Sequence, residues 1–135
     1  MPTLKRITRK NYFLGIDDCV DYDQHPCEYT LLDGKYNAAS TEEPRQISMP
    51  KGKFTSMKLN VFYNTLPTDT IITLRVNGAA TALSITIPAG VTGLLTSTEN
   101  VSIAEGDLCN LKLITDYSEL GKESAFTWIL EFQPA

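Results

Sequence analysis

The chain has 135 residues, of which 42% are hydrophobic and 21% charged, as expected of one globular domain with its own core. Its 12 basic side chains are outnumbered by 16 acidic ones, which gives a net charge of −4. This balance argues against a nucleic-acid-binding protein, and no apolar run reaches the ~20 residues that a membrane span needs.

We expect residues 1–24 to form an irregular N-terminal arm and residues 25–135 to form the folded domain. The arm carries a basic block, which consists of Lys5, Arg6, Arg9 and Lys10. Such a block can bind an acidic surface of a partner protein, or it can be a solvated terminus. Pairing with the acidic cluster of a neighbouring copy is a third alternative. No apolar h-region follows the first residues, so the sequence predicts synthesis in the cytoplasm.

An acidic cluster follows the basic block and is the best metal candidate in the chain. It consists of Asp17, Asp18, Asp21 and Asp23. Clustered carboxylates can bind calcium through their oxygens, but this run lacks the spacing and the central glycine of an EF-hand loop. A solvated charged turn is the favoured interpretation, and calcium binding stays open as the alternative.

The side chains that nucleophilic catalysis requires are sparse. His25 is the only histidine and has no adjoining motif, so the sequence favours a surface histidine and a protein that is not an enzyme. The three cysteines, Cys19, Cys27 and Cys109, form no CxxC motif and cannot all pair. We therefore expect largely structural free thiols, with a Cys19–Cys27 disulfide as the alternative. The sequence predicts no cofactor.

The first half of the chain is otherwise irregular. Residues 11–16, 27–32 and 45–49 are candidate short strands, and residues 33–44 read as a long surface loop. The first regular strand is predicted over 53–63, where one face of a period-two pattern is apolar and contains Met57, Leu59, Val61 and Tyr63.

A β-hairpin is the clearest local prediction. Residues 70–76 and 81–87 alternate between apolar and polar side chains, and Asn77-Gly78 lies between them. An Asn-Gly pair between two alternating runs is the strongest short-range hairpin signal, because both turn positions need a positive φ.

Four further strand segments complete the chain, at 91–96, 101–103, 108–115 and 126–132. In the last, alternate positions are apolar, and we expect them to face the core rather than form a carbohydrate platform: Phe126, Trp128, Leu130 and Phe132. The whole pattern gives about eight to ten strands, enough for two packed sheets. The predicted fold is therefore an all-β, antiparallel β-sandwich.

Several of these segments also resemble a known module. Four segments are similar to a jelly-roll module of tailed-bacteriophage structural proteins: Phe54-Thr55-Ser56-Met57-Lys58-Leu59, Thr73-Leu74-Arg75-Val76-Asn77-Gly78, the strand at 82–87 and Val101-Ser102-Ile103-Ala104-Glu105-Gly106-Asp107-Leu108. The resemblance covers residues 45–133. It implies a jelly-roll-like fold, a virion component such as a decoration (cement), head-fibre or tail-fibre protein, and no catalytic residues.

The first hypothesis is accordingly a capsid decoration protein, made in the host cytoplasm and located in the virion. It would be a homotrimer that binds the major capsid protein through the basic block, with no nucleic-acid or membrane partner. The second hypothesis is a receptor- or glycan-binding module of a phage fibre, with Tyr22, Tyr36 and Tyr117 as candidate contacts. The third is a small enzyme that depends on His25.

Overall fold

The structure is a computed structural model that describes residues 10–21, 27–32, 34–35, 42–115 and 122–135. Within these residues the chain forms ten strands and one 3-10 turn at Glu43–Arg45. The strands are β1 Asn11–Asp21, β2 Cys27–Thr30, β3 Gly34–Lys35, β4 Ile47–Ser48, β5 Gly52–Asn64, β6 Thr70–Val76, β7 Ala79–Ile87, β8 Gly93–Ile103, β9 Leu108–Thr115 and β10 Glu123–Pro134. No helix in the described part of the chain is long and apolar enough to cross a membrane.

The strands form two packed sheets. The first has the order β3-β1-β10-β5-β8, and the second has the order β2-β9-β6-β7, with β4 also paired to β9. Neighbouring strands are antiparallel except β1 and β3, which are parallel. The predicted all-β sandwich is therefore confirmed.

One hydrophobic core fills the space between the two sheets. Its largest side chains are aromatic residues of the first sheet, all at most 2% exposed: Phe54, Phe126, Trp128 and Phe132. The Phe54 and Phe132 rings lie 5.0 Å apart, within the range of favourable aromatic pairs. The alternating C-terminal segment is thus core, as predicted, and not a carbohydrate platform.

The predicted hairpin is also confirmed. Strands β6 and β7 pair up to Val76 and Ala79, so only Asn77 and Gly78 remain in the loop. Their φ angles are 51° and 76°, as a type I′ turn requires.

Two irregularities in β5 change which of its side chains face the core. The register with β10 shifts between Phe54 and Ser56 and again between Val61 and Tyr63. Each β-bulge inserts one extra residue and so reverses the inward–outward alternation beyond it. Tyr63, predicted to face the core, is for this reason 44% exposed.

The sandwich begins within the segment that the sequence division assigned to the N-terminal arm. Asn11–Asp21 forms β1 and pairs with β10, and Phe13 packs against the rings of Phe54 and Phe132. The predicted arm therefore does not extend to residue 24, because residues 11–21 form a strand of the sandwich and Phe13 packs against aromatic rings of β5 and β10. Similarly, β3 lies within the predicted loop at 33–44.

Strand β8 is one continuous strand, whereas the sequence predicts two separate strands at 91–96 and 101–103. The intervening polar residues, 97–100, suggest a loop, but they continue the strand because they lie at the border of the first sheet, where their side chains reach solvent.

Candidate functional site

The outward surface of the first sheet is unusually apolar. Tyr12 and Leu14 of β1 are 56% and 57% exposed, and Ile129 of β10 is 41% exposed. Leu94 of β8 is 81% exposed, while its neighbour Leu95 packs against the core. An antiparallel sheet that faces water normally alternates apolar-in and polar-out. We call these four residues the apolar face.

The pairing register brings two of these side chains together beside a lysine. Leu14 lies directly opposite Ile129, and Ile129 lies opposite Lys58 on β5. Around them is an open depression of about 340 Å³, lined by Tyr12, Leu14, Ser56, Lys58, Ile129 and Glu131. Contiguous exposed apolar surface with a polar rim is typical of an interaction site.

A charged group borders the depression. The Glu131 carboxylate accepts a hydrogen bond from Thr55 Oγ1 at 2.8 Å, and Lys10 Nζ lies 3.1 Å from the same oxygen, Oε1. The hydrogen bond from Thr55 lowers the pKa of Glu131, and the hydrogen bond and charge of Lys10 and the charge of Lys58 lower it further. Glu131 therefore stays ionised at neutral pH and can accept a hydrogen bond from a partner.

The structure gives a position to only one member of the basic block. Lys10 is part of the sheet surface, through its ion pair with Glu131. Lys5, Arg6 and Arg9 lie outside the described residues, so their assignment to capsid binding stays a prediction.

The other candidate residues of the N-terminal half stay predictions as well. Asp17, Asp18 and Asp21 belong to the backbone of β1, and Asp23 lies outside the described residues, as do His25, Tyr22, Tyr36 and Tyr117. Among the residues that the structure describes, no three potential metal ligands come together.

Cys109 is a free thiol in the core, as predicted. Burial, and to a smaller extent the charge of Asp107, raise the pKa of the thiol to about 12. Because the thiolate is the nucleophilic form, Cys109 is unsuited to catalysis in the folded protein.

A second polar cluster lies on the outer surface of the second sheet. Arg75 Nε and Nη2 donate to the two carboxylate oxygens of Glu42 at 2.7 and 3.2 Å. The hydrogen bond from Arg75 is the main reason that the pKa of Glu42 is lowered. Arg75 and Lys112 each lie 5.7 Å from the centre of the Tyr29 ring. This cluster connects Glu42, the residue before the 3-10 turn, to β6. The sequence alone did not reveal it because its members are far apart in the chain.

Two of the motifs that carry the phage resemblance, those that contain Asn77-Gly78 and Glu105-Gly106-Asp107, meet at one end of the sandwich. Asn77 Nδ2 donates to Asp107 Oδ1 at 2.9 Å, and Asn77 Oδ1 accepts from the Leu108 N–H at 2.9 Å. Asp107 Oδ2 also accepts from the Ala104 N–H at 2.8 Å, and the Met49 N–H donates to the Asp107 carbonyl at 2.9 Å. We call this connection between the β6–β7 and β8–β9 turns the turn joint. Its hydrogen bonds give these residues a structural role, since they hold the two turns together.

Comparison with known proteins supports the fold and no more. No protein-family model matches the chain, and no curated protein matches it in sequence. Among solved structures, the globular domain of zebrafish complement 1qA protein is similar, with a TM-score of 0.52 and 10% sequence identity. The match covers 93% of this chain and 96% of that chain. The two proteins thus share a jelly-roll-like β-sandwich, and the phage resemblance has no support from these comparisons.

Proposed function

We propose that this protein is a capsid decoration protein, a structural component of a virion that assembles as a homotrimer and stabilises contacts between capsid subunits. The observation that carries the proposal is the apolar face. Tyr12, Leu14, Ile129 and Leu94 leave one sheet surface poorly suited to water and well suited to burial against protein. The protein is then a non-enzymatic assembly module, made in the host cytoplasm.

The size of this surface suits contact with further copies of the chain. Strands β1, β10, β5 and β8 lie side by side. These strands have 11 to 13 residues each. At a spacing of about 4.8 Å between strands and about 3.3 Å per residue, they present a surface of roughly 19 by 36 Å. That is on the order of the ~800 Å² per partner of a standard interface. Lys58 and Glu131 provide both signs of charge at its rim, so a second copy can meet it with complementary charge.

The basic residues before β1 provide the contact with the capsid in this proposal. Lys10 also pairs with Glu131 on the sheet but keeps an exposed side chain, so it stays in the proposed set with Lys5, Arg6 and Arg9. A trimer presents three copies of this set. Linked copies bind a repetitive surface more tightly than one copy does, provided that all can bind at once.

Two measurements test the proposal. Light scattering should give a mass three times the 15.0 kDa of the chain. Cognate capsid shells that lack decoration protein should then take up the full chain but much less of a Lys5→Ala/Arg6→Ala/Arg9→Ala variant. A Lys51→Ala/Lys53→Ala variant, which removes two lysines of β5 and its approach, is the matched control. Equal uptake of all three proteins would contradict the assigned capsid contact.

A receptor- or glycan-binding module is the second candidate, and the depression favours it. Tyr12 offers an exposed ring for stacking, and Glu131, Ser56 and Lys58 offer hydrogen-bonding groups beside it. A monomeric mass, together with selective binding on a glycan array that is lost in Tyr12→Ala, would support this function. A trimer that buries Tyr12 would exclude it.

A further inference from the structure

The turn between β6 and β7 places a reactive dipeptide at the surface. Asn77 and Gly78 are both exposed, and no other asparagine of the chain precedes a glycine. An asparagine amide is open to attack by the backbone nitrogen of the next residue. Glycine allows the closest approach, since it has no Cβ.

The chemistry needs only water as a co-reactant. The Gly78 nitrogen forms a bond to Cγ of Asn77 and gives up its proton, while the Cγ–Nδ2 bond breaks and ammonia leaves. Water then adds to either carbonyl of the resulting cyclic imide and opens it. The products are aspartate, or isoaspartate with the main chain running through the former side chain.

The turn joint opposes the first step. Both atoms of the Asn77 amide are bound to the β8–β9 turn, Nδ2 to Asp107 Oδ1 and Oδ1 to the Leu108 N–H. The Asn77 N–H also donates to the Leu108 carbonyl at 2.7 Å. Rotation of the amide towards the Gly78 nitrogen must therefore break two hydrogen bonds.

We propose that Asn77 is a site of spontaneous deamidation that the folded turn joint protects, and that its conversion disconnects the β6–β7 hairpin from the β8–β9 turn. Conversion to aspartate removes the donor that Asp107 uses and places a second carboxylate beside it. Conversion to isoaspartate also adds one backbone atom to the turn. Because Val76 pairs directly with Ala79, the two-residue turn cannot accommodate this extra length. This inference does not depend on the proposed function.

Peptide mapping by mass spectrometry tests the protection. The protein is incubated at mildly alkaline pH, folded or in urea, and conversion is followed at Asn77. We expect conversion to be roughly 25-fold slower in the folded protein, since two hydrogen bonds each contribute on the order of a factor of five. Asn60 and Asn100, which precede valines, are internal controls that should stay intact in both states. Equal rates at Asn77, or no conversion in urea, would overturn the proposal.

Variants test the consequence. Asp107→Ala removes the acceptor of Nδ2, and we expect conversion in its folded state to be faster than in the wild type. Asn77→Asp mimics one product, and we expect it to melt at a lower temperature at pH 7. The difference in melting temperature from the wild type should become smaller as the pH is lowered to about 4, where carboxylates begin to protonate. A loss that does not change with pH would show that repulsion from Asp107 is not its cause. If a variant fails to fold, the rates of Asn77 conversion in the folded and the urea-denatured wild-type protein still test whether the turn joint protects this residue.

Discussion

The side chain of Trp128 occupies the space that a side chain on Gly15 would need. An ideal Cβ on Gly15 would lie 2.0 Å from Cζ2 and 2.1 Å from Cε2 of the indole. The two residues are opposite each other in the pairing of β1 with β10, and the indole Nε1 donates to the Leu32 carbonyl at 2.8 Å. One tryptophan thus fixes the position of three segments from both ends of the chain.

We expect Gly15→Ala to lower the free energy of unfolding by about 1–3 kcal/mol, because the indole must move and an overpacked core is strained. Urea denaturation followed by tryptophan fluorescence measures this. Asn11→Ala, in the same strand with an exposed side chain outside the apolar face, is the control and should change stability by about 0.5 kcal/mol or less. Equal stability of Gly15→Ala and the wild type would mean that the indole relaxes at no cost.

The apolar face predicts a difference between two isoleucines of equal exposure. Ile129 on the first sheet is 41% exposed and Ile71 on the second sheet is 40% exposed. We expect Ile129→Lys to reduce the solution mass from trimer to monomer, since a buried lysine without a partner is costly at an interface. Ile71→Lys should leave the mass unchanged. The same mass for both variants would place the assembly surface elsewhere.

The ion pair of Glu42 with Arg75 predicts a pH dependence of stability. The folded-state pKa of Glu42 lies below its ordinary value of 4.5. The ion pair therefore contributes its full stabilisation of the folded protein above pH 4.5, and this contribution is lost as the pH falls through the lowered pKa. We expect Glu42→Gln to be less stable than the wild type at pH 7, and the gap between their melting temperatures to narrow towards pH 3. A gap that stays constant across this range would contradict the assigned charge interaction.

The reactivity of the buried Cys109 thiol should report on unfolding. It is fully buried, and its pKa is raised to about 12. We expect no alkylation of Cys109 in the folded protein at pH 8 and complete alkylation in denaturant, with the site read by peptide mapping. Rapid labelling of the native protein at Cys109 would show that β9 opens locally.

Features set by local sequence were predictable. The hairpin follows from alternation and Asn77-Gly78, and the inward face of β10 follows from a period of two without interruption. Tyr63 was misplaced because a bulge depends on how two strands pair, which residues near it in sequence do not reveal. The polar stretch of β8 read as a loop, since a polar sequence does not distinguish a border strand from a turn.

The candidate surface was harder to predict than the fold. Leu14 and Ile129 come together only when β1 pairs with a strand more than 100 residues later in the chain. For the same reason, the sequence did not reveal that Lys10 of the basic block pairs with Glu131, which lies equally far away along the chain. Local patterns indicate which side chains can face outward, and long-range pairing decides which of them meet.

The position of β10 has a consequence for how the protein is made. Of the ten strands it is the last to leave the ribosome, yet it lies between β1 and β5 and hydrogen-bonds to both. Until it arrives, those two strands have exposed edges and the core lacks three of its four large buried aromatic side chains, Phe126, Trp128 and Phe132. Pairings so distant in sequence close slowly, and unpaired strands are prone to aggregate. The nascent domain therefore cannot complete its core before β10 is made, and a truncation that removes β10 should yield an aggregating polypeptide rather than a smaller domain.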